Sequence, residues 1–429
     1  MIKEILQNDL NERCVLNFER LKDEKYSNMC NVFMPADYDW YADMEGRALL
    51  AHISHKKISG KENPAMHEIV SLLPSRLNKK GYLGKIFDPQ IHEQQLSGHS
   101  WLLRGLCEYY EQFGNAEVFD ILNGILESLY FPLIGRFSDY PVERQFNEVG
   151  ESMGKSVETN GGWILSSDVG CAFTSIDGLS HVYKLTNNPK IKVLLDEMVS
   201  VYLKIDKAKL KVQTHCTLTS ARGMIRMYHL SGDEHYLEGA KSIYKLYVYG
   251  GGMTYTYHNL NFWNTPDCFT EPCAVIDSLM LCCELYKATE NPEYRTIAAR
   301  IYHNAFATIQ RSNGGAGCDE LVCDGGKDSL MTSFNYEAWW CCSMRMADGL
   351  WYALNHKDML YAEYSGTVKK DAFGRYSDGD ILYCEVNPEF AKYCDGFVKV
   401  DGHTLCPIPL FYKIPEEDAK KIKLKIIFD

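Results

Sequence analysis

Apolar residues recur at helical intervals through most of the chain. After Ser231-Gly232-Asp233, for instance, Tyr236, Leu237, Ala240, Ile243, Tyr244 and Tyr247 follow the 3.6-residue spacing of one helix face. The predicted helices also end alike, with an aromatic residue, a polar turn and the start of another helix. This happens at Tyr109-Tyr110-Glu111-Gln112-Phe113-Gly114-Asn115, at Tyr183-Lys184-Leu185-Thr186-Asn187-Asn188, at Tyr228-His229-Leu230-Ser231-Gly232-Asp233 and at Tyr286-Lys287-Ala288-Thr289-Glu290-Asn291. Gly or Asn suits the left-handed position that closes a helix, and Asn or Asp suits the cap of the next. The pattern predicts repeated helix hairpins, arranged as a toroid of paired helices (an (α/α) barrel) or as a solenoid. Irregular spacing between the copies favours the toroid. The long polar and aromatic connections predict a functional rim.

The pattern changes after about Asn355. Met359–Tyr364, Ile381–Val386 and Phe397–Val400 read as short strands separated by Gly-Asp and Asp-Gly turns, and the chain stops on the strand-like Lys423–Asp429. A helical domain over 1–355 and a β-rich region over 356–429 are therefore expected, the latter an incomplete sandwich. Asp429 is expected to mark a truncation or a split protein.

Composition narrows the partners. A formal net charge of −12 over 429 residues disfavours nucleic acid and anionic membranes, and leaves a neutral partner such as a sugar unaffected. The first residues lack the apolar core of a signal peptide, and no stretch is long and apolar enough to span a bilayer. Sixteen cysteines without a secretion signal read as thiols or metal ligands in a cytoplasmic protein rather than as a disulfide framework.

Two segments concentrate metal-ligating residue types. Thr270-Glu271-Pro272-Cys273 leads into a helical run to Lys287, and Trp339-Trp340-Cys341-Cys342-Ser343 leads into another to Leu354. Three thiolates and a carboxylate make a soft tetrahedral set suited to zinc. A cation would deprotonate the thiols, and a helix N-terminus would favour the thiolate further. On spacing alone the same residues fit buried free thiols, the commoner use of cysteine. Cys282-Cys283 has that pattern inside an apolar helix and reads as core. Cys318 and Cys323 form a possible second pair, although incidental thiols of a glycine-rich loop are the favoured reading. Glu337, just before the Cys341-Cys342 pair, reads either as a partner that supports the ligands or as a solvated face, the second being favoured.

The Glu-x-Cys motif with a later Cys-Cys resembles glycoside hydrolase family 127, the β-L-arabinofuranosidases. Asp43–Ala51 resembles that family's first barrel helix, Gly98-His99 its Gly-His helix, and Gln213-Thr214 with Arg222, Met227 and Tyr228 another. Ile301-Tyr302-His303-Asn304 resembles the segment between the metal motifs. The resemblance implies an (α/α)6 barrel of the six-hairpin glycosidase type followed by β-sandwich modules. It implies zinc held by Glu271, Cys273, Cys341 and Cys342. Cys341 would be the nucleophile of a retaining hydrolase, forming a thioglycosyl-enzyme that water resolves.

The departures are as specific as the matches. The family's acid/base is a glutamate upstream of Glu-x-Cys, whereas Gly250–Asn261 here contains no carboxylate and the next is Asp267. Tyr255 or Thr256 lies nearest the expected position, so either another group donates the proton, with Tyr255 the first candidate and Tyr257 and His258 the others, or the donor is missing; Tyr257 and His258 are also candidate substrate contacts. His99 is the best-matched sugar contact. Cys171 and Thr219 stand where the family has histidines, and nearby His215 is the candidate replacement. Ser343-Met344 replaces the Pro-Pro that follows Cys-Cys. The alternative function is a non-catalytic carbohydrate-binding relative in which the metal is a structural staple. A lanthionine-cyclase-like zinc enzyme ranks last, because its Cys-His-Gly ligand element is missing.

Overall fold

The four aromatic–polar turns share one hydrogen-bonding scheme in the computed structural model. It describes residues 2–33, 38–145, 149–150, 154–324, 327–394 and 396–427, leaving aside the side chains of 2–5 and 321–334. The amides of Gly114, Asn187, Gly232 and Glu290 donate to the carbonyls of Tyr110, Tyr183, Tyr228 and Tyr286, at 2.8, 2.8, 2.8 and 2.7 Å. All four residues sit at positive φ. The next residue then caps the following helix. Asn115, Asn188, Asp233 and Asn291 accept from the amides two residues on at 2.9–3.1 Å.

Among the described residues the long helices are α1 (Ile2–Arg20), α2 (Asp43–Ser59), α3 (Ala65–Arg76), α4 (Glu93–Phe113), α5 (Ala116–Ile125), α6 (Ser175–Thr186), α7 (Pro189–Lys204), α8 (Thr214–Ser231), α9 (Glu234–Tyr249), α10 (Pro272–Thr289), α11 (Pro292–Ile301) and α12 (Cys342–Asn355). None is long and apolar enough to cross a membrane. The chain divides into two compact units. One comprises residues 1–20, 245–261 and 265–429, the other residues 21–244 and 262–264.

In the second unit α2, α4, α6 and α8 pack successively through glycines. A Cβ on Gly46 would lie 2.2 Å from the Leu102 nitrogen, one on Gly178 2.6 Å from the Ser100 oxygen, and one on Gly223 2.6 Å from the Ile176 oxygen. Backbone atoms cannot step aside as a flexible side chain can. Gly46→Ala is therefore expected to destabilise the protein by about 3 kcal/mol, read as a lower urea midpoint at unchanged slope. A midpoint within error of wild type would show that the helices can separate freely. Asp177, buried on α6, joins the same helices by ion pairs to Arg104 of α4 at 2.5 Å and Arg226 of α8 at 2.7 Å.

In the first unit α10 packs on α11 and α12, and α12 on α1. Asn17 of α1 donates to the Ser343 carbonyl at 3.1 Å. The strands are β4 (Cys318–Asp324), β5 (Lys327–Asn335), β6 (Lys369–Lys370), β7 (Tyr376–Asp378), β8 (Ile381–Val386), β9 (Val398–Val400), β10 (His403–Pro407) and β11 (Lys423–Lys425), after β1 (Ile91–His92), β2 (Ser156–Asn160) and β3 (Trp163–Ser166) in the other unit. The larger sheet runs β4-β5-β11-β8-β10-β9, with β7 on β8 and β6 on β7. The C-terminal strands thus join β4 and β5 through the β11–β5 pairing Leu424↔Leu330. The strand expected at Met359–Tyr364 does not form. Residue 359 closes a 3-10 turn, and from there the backbone serves a loop, with Glu363 N–H on Asp380 Oδ2 at 2.9 Å and Asp380 N–H on the Glu363 carbonyl at 2.8 Å.

Candidate metal centre and active site

The segment before Glu271 is clamped by one side chain. Asn259 Oδ1 accepts from the Glu271 amide at 3.0 Å and the Thr270 hydroxyl at 2.8 Å, while Thr270 N–H donates to the Asp319 carbonyl at 2.9 Å. Glu271 is the extended N-cap of α10, with Pro272 at the first helical position, where no amide is needed. Cys273 then enters the first turn. On the other side Cys341 caps α12 at φ −148°, ψ −62°, a sharp change of direction that aims two consecutive side chains at one point.

The two motifs meet. One ligating atom from each of Glu271, Cys273, Cys341 and Cys342 lies within 4.8 Å of the other three. Cys273 Sγ is 3.6 Å and Cys341 Sγ 3.2 Å from Cys342 Sγ. Cys273 and Cys342 are fully buried, whereas Cys341 is half-buried. This buried group could hold a metal ion, and three sulfurs with one oxygen suit a soft dication. Gathered without a cation the thiols are held protonated. The Cys273 hydrogen bond and burial push Cys341 well above the usual thiol range, and burial and neighbouring thiols do the same to Cys342. A bound dication reverses that logic.

One turn further in, Arg345 of α12 pairs with Asp277 of α10 at 2.5 Å and with Asp348, all three buried. This joins the helices that carry the two motifs. Glu337 belongs to the same region and corrects the expectation of a solvated face. It takes Arg20 Nε and Nη2 at 2.8 and 2.6 Å, Asn313 Nδ2 at 3.0 Å and the Ser343 hydroxyl at 3.2 Å. Cys318 is likewise no incidental loop thiol. It is buried at the start of β4, a strand rather than a loop. The side chain of Cys323 lies outside the described residues.

Tyr255 is 43% exposed and lines a cavity of about 520 Å³ with Tyr249, Met253, Tyr257, Phe373 and Arg375. Arg375 donates to the Tyr255 carbonyl at 2.5 Å and the Tyr257 hydroxyl at 3.2 Å. Tyr257 is held at φ +66° with its ring buried. His258 is also buried, its Nδ1 bonded to the Thr256 hydroxyl at 2.9 Å and its Nε2 to the Thr308 hydroxyl at 2.7 Å.

In the other unit His99 donates from Nδ1 to the Gln95 carbonyl at 2.8 Å, and its Nε2 accepts from Leu83 N–H at 3.1 Å. Both nitrogens of His99 and of His258 are thus engaged within the protein, and a sugar would have to exchange for one of those bonds. His215 stacks on Trp101 at 6.0 Å, and Trp101 lies under Arg47 at 4.0 Å. Glu45, not singled out from the sequence, shares a cavity of about 510 Å³ with Tyr38, Trp40 and Tyr41, and burial raises its carboxyl to about 8. Only its place in the first turn of α2, two residues after Asp43, could have signalled this.

The buried histidines make the fold acid-sensitive. Burial lowers His52, His92 and His99 to about 4, and His55 and His258 to about 3. Below pH 6.5 the unfolded chain protonates these rings and the folded one does not, so each costs up to about 1.4 kcal/mol per pH unit until its folded pKa is reached. The melting temperature is expected to be flat with respect to these groups above pH 7 and to fall steeply between pH 6.5 and 4. A flat profile across that window would show the rings to be solvated.

No family model matches the sequence, and no match is found among curated proteins. Solved structures do match. A GH127 β-L-arabinofuranosidase from Geobacillus stearothermophilus T6 is similar with a TM-score of 0.52 at 12% identity, over 99% of this chain and 80% of its own. A second GH127 β-arabinofuranosidase gives 0.51 at 11% identity, over 97% and 76%. A sugar epimerase from a ruminal bacterium gives 0.57 at 11% identity, over 83% and 99%. At such identities the likeness establishes the fold: mainly helical, of the six-hairpin (α/α)6 glycosidase class, with a β-rich C-terminal portion.

Proposed function

We propose that this protein is a carbohydrate-active enzyme, specifically a retaining glycoside hydrolase similar to the β-L-arabinofuranosidases, with zinc at Glu271, Cys273, Cys341 and Cys342. The observation that carries the reading is the convergence of those four residues from two helix starts in a chain of this fold. A zinc ion held there would supply the charge that keeps the thiols ionised near neutral pH.

The chain's own residues then divide the work. Cys341, the one cysteine of the group whose residue is not fully buried, attacks the anomeric carbon. The C–S bond forms, the glycosidic C–O bond breaks, and the leaving oxygen takes a proton from a donor, assigned here to the exposed Tyr255 hydroxyl. Water attacks the same carbon in the second step, C–S breaks, and the water's proton returns to the donor. Tyr257, His258, His99 and His215 are the proposed sugar contacts, His99 and His258 at the expense of a present hydrogen bond. A reducing, cytoplasmic setting belongs to the proposal, because Cys341 must stay a thiol. The helical portion over 1–355 is the proposed catalytic domain, with the β-rich remainder after it.

The test is release of L-arabinose from an aryl β-L-arabinofuranoside, with product configuration followed by NMR and metal counted by mass spectrometry. Retention with one zinc per chain is expected. Full activity in a metal-free preparation would overturn the reading. The lack of a carboxylate in Gly250–Asn261 favours the second reading, a carbohydrate-binding relative with a structural ion. It predicts saturable arabinoside binding with no turnover and no labelling of Cys341 by a cyclic-sugar electrophile.

A further inference from the structure

Sulfurs approach one another at a second place in the first unit, outside the group of four. Cys406 lies on β10, an inner strand between β8 and β9, and its cross-strand partner on β8 is Cys384. Directly opposed residues of an antiparallel pair present their side chains to the same face. That face is not the one packed by Leu405, which belongs to an apolar cluster with Tyr376 and Ile427. Cys384 and Cys406 are both fully buried.

A third thiol is brought to Cys406 from outside the sheet. The 3-10 helix Pro388–Tyr393 is anchored by buried Phe390 and by the Tyr393 hydroxyl, which donates to Asp418 Oδ2 at 2.9 Å. Cys394 closes that helix with its N–H on the Ala391 carbonyl at 3.1 Å, and its Sγ lies 3.2 Å from Cys406 Sγ. Of the three residues only Cys394 is not fully buried. Cysteines that merely fill a core need not point at one another. Here a thiol at the accessible end of an anchored helix is aimed at a sulfur inside the sheet. Closing 3.2 Å to the roughly 2.05 Å of a disulfide asks for about an ångström of side-chain movement, with the backbone already held on both sides.

We propose that Cys394 and Cys406 form a peroxide-reactive dithiol site, which hydrogen peroxide converts to a disulfide and a small dithiol restores. The Cys394 thiolate attacks a peroxide oxygen and the O–O bond breaks. The sulfur becomes a sulfenic acid, and the departing hydroxide takes up the proton that Cys394 gave up and leaves as water. The Cys406 sulfur then attacks the sulfenic sulfur. The S–S bond forms, the S–O bond breaks, and the oxygen leaves as a second water with the Cys406 thiol proton. In sum two thiols are oxidised, one peroxide is reduced, and the products are one disulfide and two waters. The bond closes the loop 394–406, which contains β9, and fastens the 3-10 helix to an inner strand. In a reducing compartment such a bond is transient and serves to sense oxidant. The inference needs neither the metal nor the glycosidase reading.

The experiment uses the full chain, reduced, freed of reductant and treated with an equimolar amount of hydrogen peroxide. Remaining thiols are capped with N-ethylmaleimide, and the protein is digested without reduction for mass spectrometry. The expected product is a cross-linked peptide joining Cys394 to Cys406, which dithiothreitol separates. Cys406→Ser is expected to leave Cys394 as a sulfenic acid, its labelling by dimedone rising roughly tenfold over wild type because no neighbouring thiol resolves it. Cys384→Ala is expected to form the same bond as wild type. Maleimide on both Cys394 and Cys406 after the treatment overturns the proposal, and so does a cross-link from Cys406 to Cys384 in place of Cys394. Cys406→Ala replaces Cys406→Ser should serine fail to fold, and the wild-type peptide map decides the question without any variant.

Discussion

Cys341→Ala is expected to abolish turnover, by roughly 10⁴-fold or more in kcat, while leaving the fold and the bound metal in place. The size follows from the role. Removing a nucleophile takes away the covalent route and leaves only binding and electrostatics. The choice of Cys341 over its neighbour follows from position. Cys341 is half-buried at the bend before α12, whereas Cys342 and Cys273 are fully enclosed. Only a sulfur that substrate can reach can attack it. Cys342→Ala should instead lower metal affinity and stability first, with activity lost in consequence. The measurement is kcat on the aryl glycoside beside metal content and a melting curve for each variant. A Cys341→Ala protein that keeps more than a tenth of wild-type kcat would sink the assignment, and equal metal loss in both variants would remove the distinction between them.

How much of this was legible in the sequence depended on the range over which each signal acts. The four helix ends were, because a left-handed closure and its following cap are local chemistry. Tyr110–Gly114–Asn115 carries its whole hydrogen-bonding scheme within eight residues, Tyr110 to Glu117. The four metal-ligand candidates were legible as pairs, since Glu271 with Cys273 and Cys341 with Cys342 stand at helix starts that orient them together. That the pairs meet is a tertiary fact, and the spacing alone fitted buried thiols better. The favoured readings of Cys318 as a loop thiol and Glu337 as a solvated face were overturned for that reason. Nothing near Cys318 in the chain says that Ser343 and Thr270 will fasten its strand, and nothing near Glu337 announces Arg20, more than 300 positions away. Glu45 escaped because its raised carboxyl comes from burial in the folded unit. Met359–Tyr364 failed in the other direction. Its alternation suits a strand, but its backbone partners belong to the Asp380 loop rather than to a ladder.

On the zinc proposal, stripping the metal, or replacing Cys273 by serine, is expected to lower the melting temperature by about 10 °C or more, which would make the ion as much a part of the fold as of the chemistry. Structural zinc contributes on the order of 10 kcal/mol of apparent binding free energy in small domains. Even a fraction of that is large beside the few degrees that 1 kcal/mol is worth in a chain of this size. The physical source is visible in the donor set. Three thiols and a carboxylate share one buried space, so losing the cation leaves them either protonated, with few partners of matching strength, or charged and mutually repelling. The damage should stay local. Arg345 still links α10 to α12 through Asp277 and Asp348, and that ion pair does not involve the site. Chelated protein should therefore keep its helical circular dichroism at 20 °C while the segments around Glu271 and Cys341 become susceptible to protease, and Glu271→Gln should be milder than Cys273→Ser because an amide oxygen can still bind. A chelator-treated protein that melts with the untreated one, metal loss being verified, would mean that the four residues hold each other without an ion.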